Sequence, residues 1–372
     1  MTNKKPDEAA QTRSRKQDHV DIILKEDVRA RVNAWDDISL VHEALPDVDL
    51  SRVDLKTRFL GAALGAPFMI ASMTGGYPDA ERINGNLAAA AAAHQLAMGV
   101  GSQRAALLST ASKRTFTVVR DHDVPFLAAN IGGPQLVAQG AKKPITRSDI
   151  DTLVKMLEAD ALIIHLNVLQ EAVQPEGDLQ CVGLAAAIKD LAHDLGVPVI
   201  AKETGAGMTH ATANRLKDAG VKALDVGGLS GTTFAAVEAF RAHAEGAADR
   251  ERVGALFRDW GVPTPVSLRE AQVGLPVVAT GGLRSGLDAA RALALGATLA
   301  GYASAMLHAA NESEQAAIAL GAQLELELRT ACFLTDCASA RDLAMHPVVV
   351  GGVSAEWLRA LGHDVAALAQ RW

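Results

Sequence analysis

Residues 165–171, HLNVLQE, place several polar side chains directly after an apolar run. That run, ALII, has the character of a buried strand, and the side chains that follow it are His165, Asn167, Gln170 and Glu171. Singly, each is usual on a protein rim, but together they join an imidazole that can move a proton to the oxygen ligands that Mg2+ prefers. No HxH or HExxH spacing for zinc accompanies them. The pattern predicts a carboxylate that shares Mg2+ with the phosphates of a substrate.

Short apolar runs recur along the chain, and helix-like segments rich in alanine and leucine separate them. The runs are 67–73, 97–103, 126–131, 161–167, 198–203, 223–228, 276–282 and 298–304. Each is about as long as a strand that is buried on both faces. Such βα units in series predict an α/β fold, the (β/α)8 TIM barrel. A doubly wound sheet is the alternative, although it usually has fewer strands and a glycine fingerprint near the first.

The segments outside the repeating units carry predictions of their own. Residues 1–14 are polar and charged, which predicts a mobile N-terminal leader before a single domain of residues 15–372. Residues 233–275 are longer than one helix needs and predict an excursion over the barrel mouth. The segment 311–334 predicts a long closing helix, and the tail 338–372 predicts smaller helices.

Composition and charge exclude several classes of protein. Apolar residues make up 49% and charged residues 21% of the 372, as is usual in globular proteins. The net charge of −7 argues against a nucleic-acid-binding surface. The N-terminal residues lack the apolar segment of a signal peptide, and no apolar run reaches the roughly 18 residues of a membrane span. Cys181, Cys332 and Cys337 form no CxxC pair, which predicts reduced thiols and a cytoplasmic protein.

The exits of the predicted strands are the candidate functional positions, because barrel enzymes carry their chemistry at the carboxyl ends of the strands. Glycine-rich TGGLRSG (280–286) follows the seventh strand and GYASAM (301–306) contains the end of the eighth, which predicts a phosphate site. Lys202 ends the fifth strand. Pairing with Glu203 or another carboxylate is one interpretation, but the cost of an unused ammonium in a barrel favours a ligand role.

Several motifs, in this order, carry a resemblance to a known family. They are SRKQDH (14–19), SMTGG (72–76), GVGSQRAAL (99–107), ANIG (129–132), HLNVLQE (165–171), QPEGD (174–178), PVIAKETGAGM (198–208) and TGGLRSGLDAARALALGA (280–297). With these motifs the sequence resembles the type II isopentenyl diphosphate isomerases from about residue 14 to the C-terminal tail. The resemblance implies an FMN-dependent barrel related in fold to the α-hydroxyacid-oxidising flavoenzymes.

The resemblance also implies a role for each site residue. The expected neighbours of the flavin ring are Ser72, Met73, Thr74, Ser102, Asn130 and Lys202. The positions expected at the FMN phosphate and ribityl chain are Thr232, Gly282, Leu283, Arg284, Ala303 and Ser304. The expected substrate contacts are Arg15, Lys16, His19, Ser102, Gln103, Arg104, His165, Asn167 and Gln170. Glu171 matches the Mg2+ ligand, and the residues expected to act in catalysis are His165, Gln170 and Lys202.

The implied activity interconverts isopentenyl diphosphate and dimethylallyl diphosphate in isoprenoid biosynthesis. Reduced FMN is expected to serve as acid and base in a dry pocket, Mg2+ to hold the diphosphate, and NADPH or another reductant only to prime the flavin. The resemblance further implies a homo-oligomer, a tetramer or an octamer. No nucleic-acid or membrane partner is expected.

The sequence departs from the family pattern in places, and other functions stay open. Val168 stands where many relatives have Pro, Gly227 where serine is common, and Thr233-Phe234 where Ser-Trp is frequent. One alternative is an FMN-dependent 2-hydroxyacid oxidase or dehydrogenase of the same fold, which needs a histidine base and paired arginines. The other is a non-catalytic scaffold with a flavoprotein fold.

Overall fold

A computed structural model describes residues 8–371, with side chains from residue 10 onward. The expected leader, residues 1–14, therefore lies partly outside the described residues. Residues 8–14 are helical and form the first turns of the helix Glu8–Lys25. This helix was not predicted from the sequence, because its leading residues are polar and show no apolar periodicity.

The strands are short, and those of the barrel match the predicted runs. In chain order they are β1 (Ile38–Leu40), β2 (Thr57–Phe59), β3 (Ala62–Leu64), β4 (Phe68–Ile70), β5 (Ala97–Gly99), β6 (Phe126–Gly132), β7 (Ala161–Leu166), β8 (Val199–Glu203), β9 (Ala223–Asp225), β10 (Val277–Thr280), β11 (Leu299–Tyr302) and β12 (Val348–Val350). The strands β4 to β11 close into a parallel barrel in the order β10-β11-β4-β5-β6-β7-β8-β9. The predicted (β/α)8 barrel is confirmed.

The helices surround the barrel and cover its ends. In chain order they are α1 (Glu8–Lys25), α2 (Ala80–His94), α3 (Arg104–Leu108), α4 (Arg114–Thr117), α5 (Arg147–Leu157), α6 (Val168–Val173), α7 (Leu184–Asp194), α8 (His210–Asp218), α9 (Phe234–Ala244), α10 (Ala248–Leu256), α11 (Thr264–Glu270), α12 (Gly286–Ala294), α13 (Ser304–Glu312), α14 (Glu314–Phe333), α15 (Gly352–Ala360) and α16 (Val365–Ala369). Short 3-10 helices lie at Ala34–Asp37, Leu50–Arg52, Thr110–Ser112, Val118–Asp121, Gly133–Leu136 and Asp342–Met345. No helix among residues 8–371 combines the length and apolar character needed to cross a membrane.

The predicted long closing helix and the helical excursion are both present. The closing helix is α14, whose N-cap Ser313 accepts a hydrogen bond from the backbone N–H of Ala316 at 3.0 Å. The excursion of residues 233–275 contains α9, α10 and α11, and α9 packs against α1. In the tail, α15 and α16 follow β12, an unpredicted strand that pairs antiparallel with β1.

The interior of the barrel is apolar from its amino end upward. Alternate residues of the strands face the axis and form one buried cluster with two residues of the β2–β3 hairpin. The cluster consists of Phe59, Leu64, Met69, Ala97, Phe126, Ala128, Ala161, Ile163, Ile200, Ala223, Val278 and Leu299. The hairpin closes the amino end, where the rings of Phe59 and Phe126 meet edge to face at 5.3 Å. Polar chemistry is therefore confined to the opposite end of the strands.

We expect the ring of Phe59, which closes the amino end of the barrel, to stabilise the barrel without contacting its mouth. Phe59 is 1% exposed, so Phe59→Ala should lower the free energy of unfolding by about 3–5 kcal/mol, as for other buried rings. The measurement is urea denaturation of the purified protein, with Phe59→Leu as the control that keeps most of the apolar volume. A loss of unfolding free energy in Phe59→Ala no larger than that in Phe59→Leu would contradict this role of the ring.

Candidate active site

A polar layer lies directly above the apolar interior, at the carboxyl ends of four neighbouring strands. The register of β6 to β9 aligns Gly132 with His165, His165 with Lys202, and Lys202 with Asp225. Side chains in register on parallel strands point to the same side of the sheet, and these continue the inward-facing positions of Ile163 and Ile200. The structure therefore brings His165 and Lys202 together at the mouth.

Lys202 is buried, and its ammonium has a carboxylate partner. Its Nζ lies 3.3 Å from Oδ2 of Asp225 and donates a hydrogen bond to the backbone carbonyl of Glu203 at 2.9 Å. The hydroxyl of Thr280 donates to the other oxygen of Asp225. Sequence reasoning missed Asp225, although a single acid within the apolar run ALDVGG, one strand beyond a lysine, was an available signal. The pair fixes the position of Lys202 in the floor of the mouth.

The carboxylate of Glu203 has a separate, structural task. Its Oε2 accepts hydrogen bonds from the backbone N–H groups of Thr204, Gly205, Ala206 and Gly207, at 2.6, 2.7, 2.6 and 2.9 Å. Burial raises the pKa of Glu203 to about 7, whereas these donors favour the ionised form. Glu203 thus shapes the loop after β8 and is not the carboxylate that pairs with Lys202.

His165 is held as a neutral imidazole. Its Nδ1 lies 2.7 Å from Oδ1 of Asn130, which can only accept, so Nδ1 carries the proton. Desolvation, followed by the nearby cations Lys202 and Lys16, lowers the pKa of His165 to about 3. Its Nε2 therefore keeps a lone pair at neutral pH and can accept a hydrogen bond.

Gln103 was expected to face the substrate, and its side chain lies within the barrel wall. The side chain is fully buried, its Oε1 accepts from the backbone N–H of Asn130 at 2.9 Å, and its Nε2 donates to the carbonyl of Leu153 at 3.2 Å. Both ends of the amide are thus used inside the barrel wall. Gln103 acts by fixing Asn130, which in turn holds His165.

The segment HLNVLQE forms a cluster of oxygen atoms around Glu171. Oε1 of Glu171 accepts from Nδ2 of Asn167 at 2.8 Å, and Oε2 accepts from the backbone N–H of Asp178 at 2.7 Å and from Nε2 of Gln174. Both amides leave an oxygen, Oδ1 of Asn167 and Oε1 of Gln174, buried with no hydrogen-bond partner in the described part of the chain. Burial raises the pKa of Glu171.

This donor set fits a hard divalent cation. Carboxylate and amide oxygens are the ligands that Mg2+ takes, and it usually completes its shell with water and substrate phosphates. Among residues 8–371, no group of three or more His, Cys, Asp or Glu side chains could hold a metal ion. A cation beside Glu171 would therefore depend on oxygen atoms that a ligand brings.

Lys16 on α1 reaches the exits of the first two barrel strands. Its Nζ donates to the backbone carbonyls of Gly75, at 2.7 Å, and Ser102, and it lies 5.2 Å from the centre of the Phe116 ring. Burial, with a smaller effect of neighbouring Arg15, lowers the pKa of Lys16 to about 7. The N-terminal segment expected to bind substrate thus lies over the barrel mouth.

His19 and Gln170 meet at a carboxylate that sequence reasoning missed. Oε1 of Glu238 on α9 lies 2.8 Å from Nε2 of His19 and accepts from Nε2 of Gln170 at 3.2 Å. Burial opposes the ionised form of Glu238, but His19 and Arg241 outweigh it and lower its pKa to about 2. A lone acid within FAAVEAF was the only sequence signal.

Two further cations lie beside the loop of residues 174–178. Nη1 of Arg15 is 3.8 Å from Glu176, and Nη1 of Arg104 is 3.3 Å from Asp178. Lys142 also approaches Asp178, at 3.1 Å. The structure therefore places Arg15 and Arg104 on the same side of the mouth as the Glu171 cluster.

The residues expected around FMN offer unused polar groups and open backbone. The hydroxyls of Ser72 and Thr74, at the exit of β4, are buried with no hydrogen-bond partner among residues 8–371. Gly282 has φ of +81°, and a Cβ there would lie 2.2 Å from the carbonyl oxygen of Ser230, so only glycine fits. Ser304 begins α13, whose first N–H groups suit an anion. These features fit a flavin ring and its phosphate.

The remaining expected flavin contacts are placed as follows. Leu283 is buried, Met73 is partly buried against the core, and Ala303 is the N-cap residue of α13. Arg284 pairs with Asp36 at 2.6 Å and with Asp288 at 3.2 Å, so its guanidinium is already engaged. Thr232 forms an antiparallel bridge with Arg29.

The structure locates each departure from the family pattern, and it explains the glycine in the loop after β9. Gly227 has φ of +46°, and a Cβ at this position would lie 2.0 Å from the carbonyl oxygen of Glu203, so serine would require the backbone to move. Phe234 packs edge to face with His19, with ring centres 5.6 Å apart. Val168 is the first residue of α6 and is about half exposed.

Comparison with solved structures defines the class of the fold. The recombinant flavin-binding domain of baker's yeast flavocytochrome b2 has a TM-score of 0.60 and 17% identity, over 92% of this chain and 79% of that one. A mandelate oxidase mutant with a monooxide FMN adduct has a TM-score of 0.57 and 16% identity, over 86% of this chain and 90% of that one. A family model described as FMN-dependent dehydrogenase matches residues 24–127. The fold is that of flavin-binding (β/α)8 barrels.

Sequence relatives identify the family within this class. The isopentenyl-diphosphate delta-isomerase of Thermoplasma volcanium is 46% identical over 344 residues, which are 92% of this chain and 98% of that protein. The isopentenyl-diphosphate delta-isomerase of Methanosarcina barkeri is 43% identical over 357 residues, 95% of this chain and 96% of that protein. The chain belongs to the type II isopentenyl-diphosphate delta-isomerase family, as the resemblance predicted.

We expect His165 to stay neutral from about pH 5 to about pH 9, since its pKa of about 3 lies far below the ordinary value near 6.5. The unfolded chain then binds the extra proton, so this side chain lowers the stability of the folded protein as the pH falls below about 6.5. Nitrogen-15 NMR of histidine-labelled protein, assigned with His165→Gln, reports the charge and the Nδ1–H tautomer. A titration midpoint of about 6 or above would contradict this environment.

Proposed function

We propose that this chain interconverts isopentenyl diphosphate and dimethylallyl diphosphate in isoprenoid biosynthesis, with reduced FMN and Mg2+ as cofactors. The observation that carries the proposal is the in-register layer of His165 and Lys202, which lies above an apolar interior and below the cations of α1. The family relationship over 92% of the chain supports the reaction class. When bound, reduced FMN would supply the acid and base for the proton shift, and Mg2+ would bind the diphosphate.

The diphosphate would lie between α1 and the Glu171 cluster. Lys16 reaches the strand exits from one side, while Arg104 on α3 and Glu171 on α6 lie beside the 174–178 loop, where both contact Asp178. An anion beside Lys16 favours its ammonium form, which offsets the effect of burial on its pKa. The oxygens of Glu171, Asn167 and Gln174 then provide the protein ligands for Mg2+ shared with phosphate.

The reacting carbons would lie above the polar layer. Neutral His165 offers Nε2 as an acceptor without placing a second cation beside Lys202. Lys202, fixed by Asp225, provides a positive charge where the resemblance places the electron-rich edge of the flavin. The hydroxyls of Ser72 and Thr74, which have no hydrogen-bond partner among the described residues, would be available to the same ring. These residues would orient the ring and the five-carbon chain, and the net reaction would oxidise or reduce neither the flavin nor the substrate.

Exclusion of water is the contribution of α1 and α9. An unactivated alkene is protonated only by a strong acid, and such a site works best without competing water. Lys16 closes against Gly75 and Ser102, and the ring of Phe234 packs on His19 over the mouth. An apolar barrel interior below the cation of α1 suits a substrate with an apolar tail and an anionic head.

The activity is tested by anaerobic incubation of the purified protein with FMN, Mg2+, dithionite and isopentenyl diphosphate in D2O. We expect dimethylallyl diphosphate that contains deuterium, because a proton leaves one carbon while another is added elsewhere, with no net oxidation. Omitting dithionite should abolish turnover. Absence of labelled product, together with bleaching of bound flavin by 2-hydroxy acids such as lactate or mandelate, would favour the oxidase alternative. A protein that binds no FMN would favour the scaffold.

Glu171→Gln should weaken the response to Mg2+ while leaving FMN bound. Losing one partner at a metal site commonly lowers metal affinity by about tenfold to a hundredfold, so the Mg2+ concentration for half-maximal rate should rise by that factor. The matched control is Glu158→Gln, an exposed carboxylate at the end of α5, before β7, whereas Glu171 follows β7 on α6. An unchanged Mg2+ dependence in Glu171→Gln would rule out this ligand.

NADPH as the reductant and the homo-oligomeric state stay predictions. Both rest on the resemblance. The cytoplasmic location also stays a prediction, and it rests on the cysteine pattern and on the lack of a signal-peptide segment in the sequence. Monitoring flavin absorbance after anaerobic addition of NADPH tests the reductant, and light scattering of the purified protein tests the tetramer or octamer.

A further inference from the structure

Arg241 on α9 is a buried cation with partners on several elements. Its side chain is 6% exposed, and Nη1 donates to Oε2 of Glu238 at 2.6 Å. Nη2 donates to Oε1 of Glu176 at 3.0 Å and to Oε1 of Glu245 at 3.3 Å, and Nε lies 3.9 Å from Asp18. One guanidinium thus joins α1, the loop of residues 174–178 and α9.

Polar contacts hold the amino-terminal part of α1. Among residues 10–19 only Thr12 is buried, whereas the apolar attachment of the helix lies further along the chain, at Val20 and residues 22–24. A cavity of about 300 Å3 separates α1 from the 174–178 loop, and its lining includes Arg15, Glu176 and Arg241. Since no apolar packing fills this space, the ion pairs around Arg241 carry the attachment of α1 on this side.

The partners of Arg241 lead directly to residues of the proposed site. The carboxylate of Glu238 uses one oxygen for Arg241 and the other for His19 and Gln170. Removing the guanidinium would leave a buried carboxylate short of a charge partner, which is strongly unfavourable. Lysine cannot replace it, because an ammonium lacks the planar fork that reaches Glu238 and Glu176 together.

We propose that Arg241 is a positioning residue for the isomerase site. It fixes Glu238 against His19 and Gln170, and it holds α1 and the 174–178 loop together over the barrel mouth. Arg241 touches neither the proposed substrate nor the flavin; it acts through Glu238 and through the placement of α1. The catalytic part of this inference rests on the proposed function, whereas the structural part does not.

The test compares Arg241→Gln, Arg241→Lys and the control Arg250→Gln. Arg250 is an exposed arginine on α10 that reaches the backbone carbonyl of Ala172. The control therefore makes the same substitution in the same region but leaves the buried ion pairs of Arg241 intact. Hydrogen–deuterium exchange measures the closure of residues 10–25 and 174–178. Steady-state kinetics with isopentenyl diphosphate give two values. KM reports how well the cations of α1 are placed to bind the substrate, and kcat reports how well Glu238 is placed against His19 and Gln170. Flavin absorbance reports the integrity of the barrel.

We expect Arg241→Gln to increase exchange in both segments by about tenfold or more, to raise KM and to lower kcat, while FMN stays bound. Arg241→Lys should recover only part of these losses, and Arg250→Gln should match the wild type. Unchanged exchange in Arg241→Gln, or full recovery by lysine, would overturn the proposal.

A milder variant covers the possibility that Arg241→Gln fails to fold. Glu176→Gln removes one link to the 174–178 loop at a partly exposed side chain, and it should raise exchange in that loop by about twofold to fivefold. No increase would contradict the role of Arg241 in holding α1 and the 174–178 loop together. Increased exchange in a protein without isomerase activity would support that role and reject the proposed reaction, so the two failures are distinguishable.

Discussion

The contact between Lys202 and Asp225 is the interaction on which the site depends. A barrel interior that is apolar up to Ile163 and Ile200 cannot hold an unpaired ammonium, and the neighbouring carboxylate makes the charge tolerable. The parallel register then decides what lies beside it, because His165 is aligned with Lys202 on the next strand. Desolvation first, and then the fixed cation, lower the pKa of the imidazole and keep it neutral. One ion pair thus sets the chemistry of the floor.

The mouth is completed by parts of the chain that belong to no barrel strand. Helix α1 supplies Lys16 and His19, and α9 supplies Glu238, which receives both His19 and Gln170. These contacts are mainly polar, whereas the barrel below is held by close apolar packing. The floor of the mouth and the helices that cover it are therefore held by different kinds of interaction.

The sequence predicted the barrel well, because strands buried on both faces appear as short apolar runs at regular spacing. It also identified Lys202, His165 and the Glu171 segment, since polar residues at strand exits stand out against those runs. It missed Asp225 and Glu238, which lie within apolar segments and whose roles follow only from contacts with residues distant in the chain. The helical start of α1 was missed because its residues are polar and show no apolar periodicity, and the β1–β12 pairing was missed because its two strands are distant in the chain. The burial of Gln103 could not be inferred without knowing which way its strand exit turns.

Titration of the purified protein with FMN, followed by flavin absorbance, tests whether the polar layer seats a flavin beside Lys202. The comparison is the double variant Lys202→Met/Asp225→Asn, which removes both charges and leaves neither one unpaired. We expect saturable binding of one flavin per chain with a changed spectrum, and binding weaker by about tenfold or more in the variant. No saturable binding by the wild type, or the same affinity and spectrum in both proteins, would contradict it.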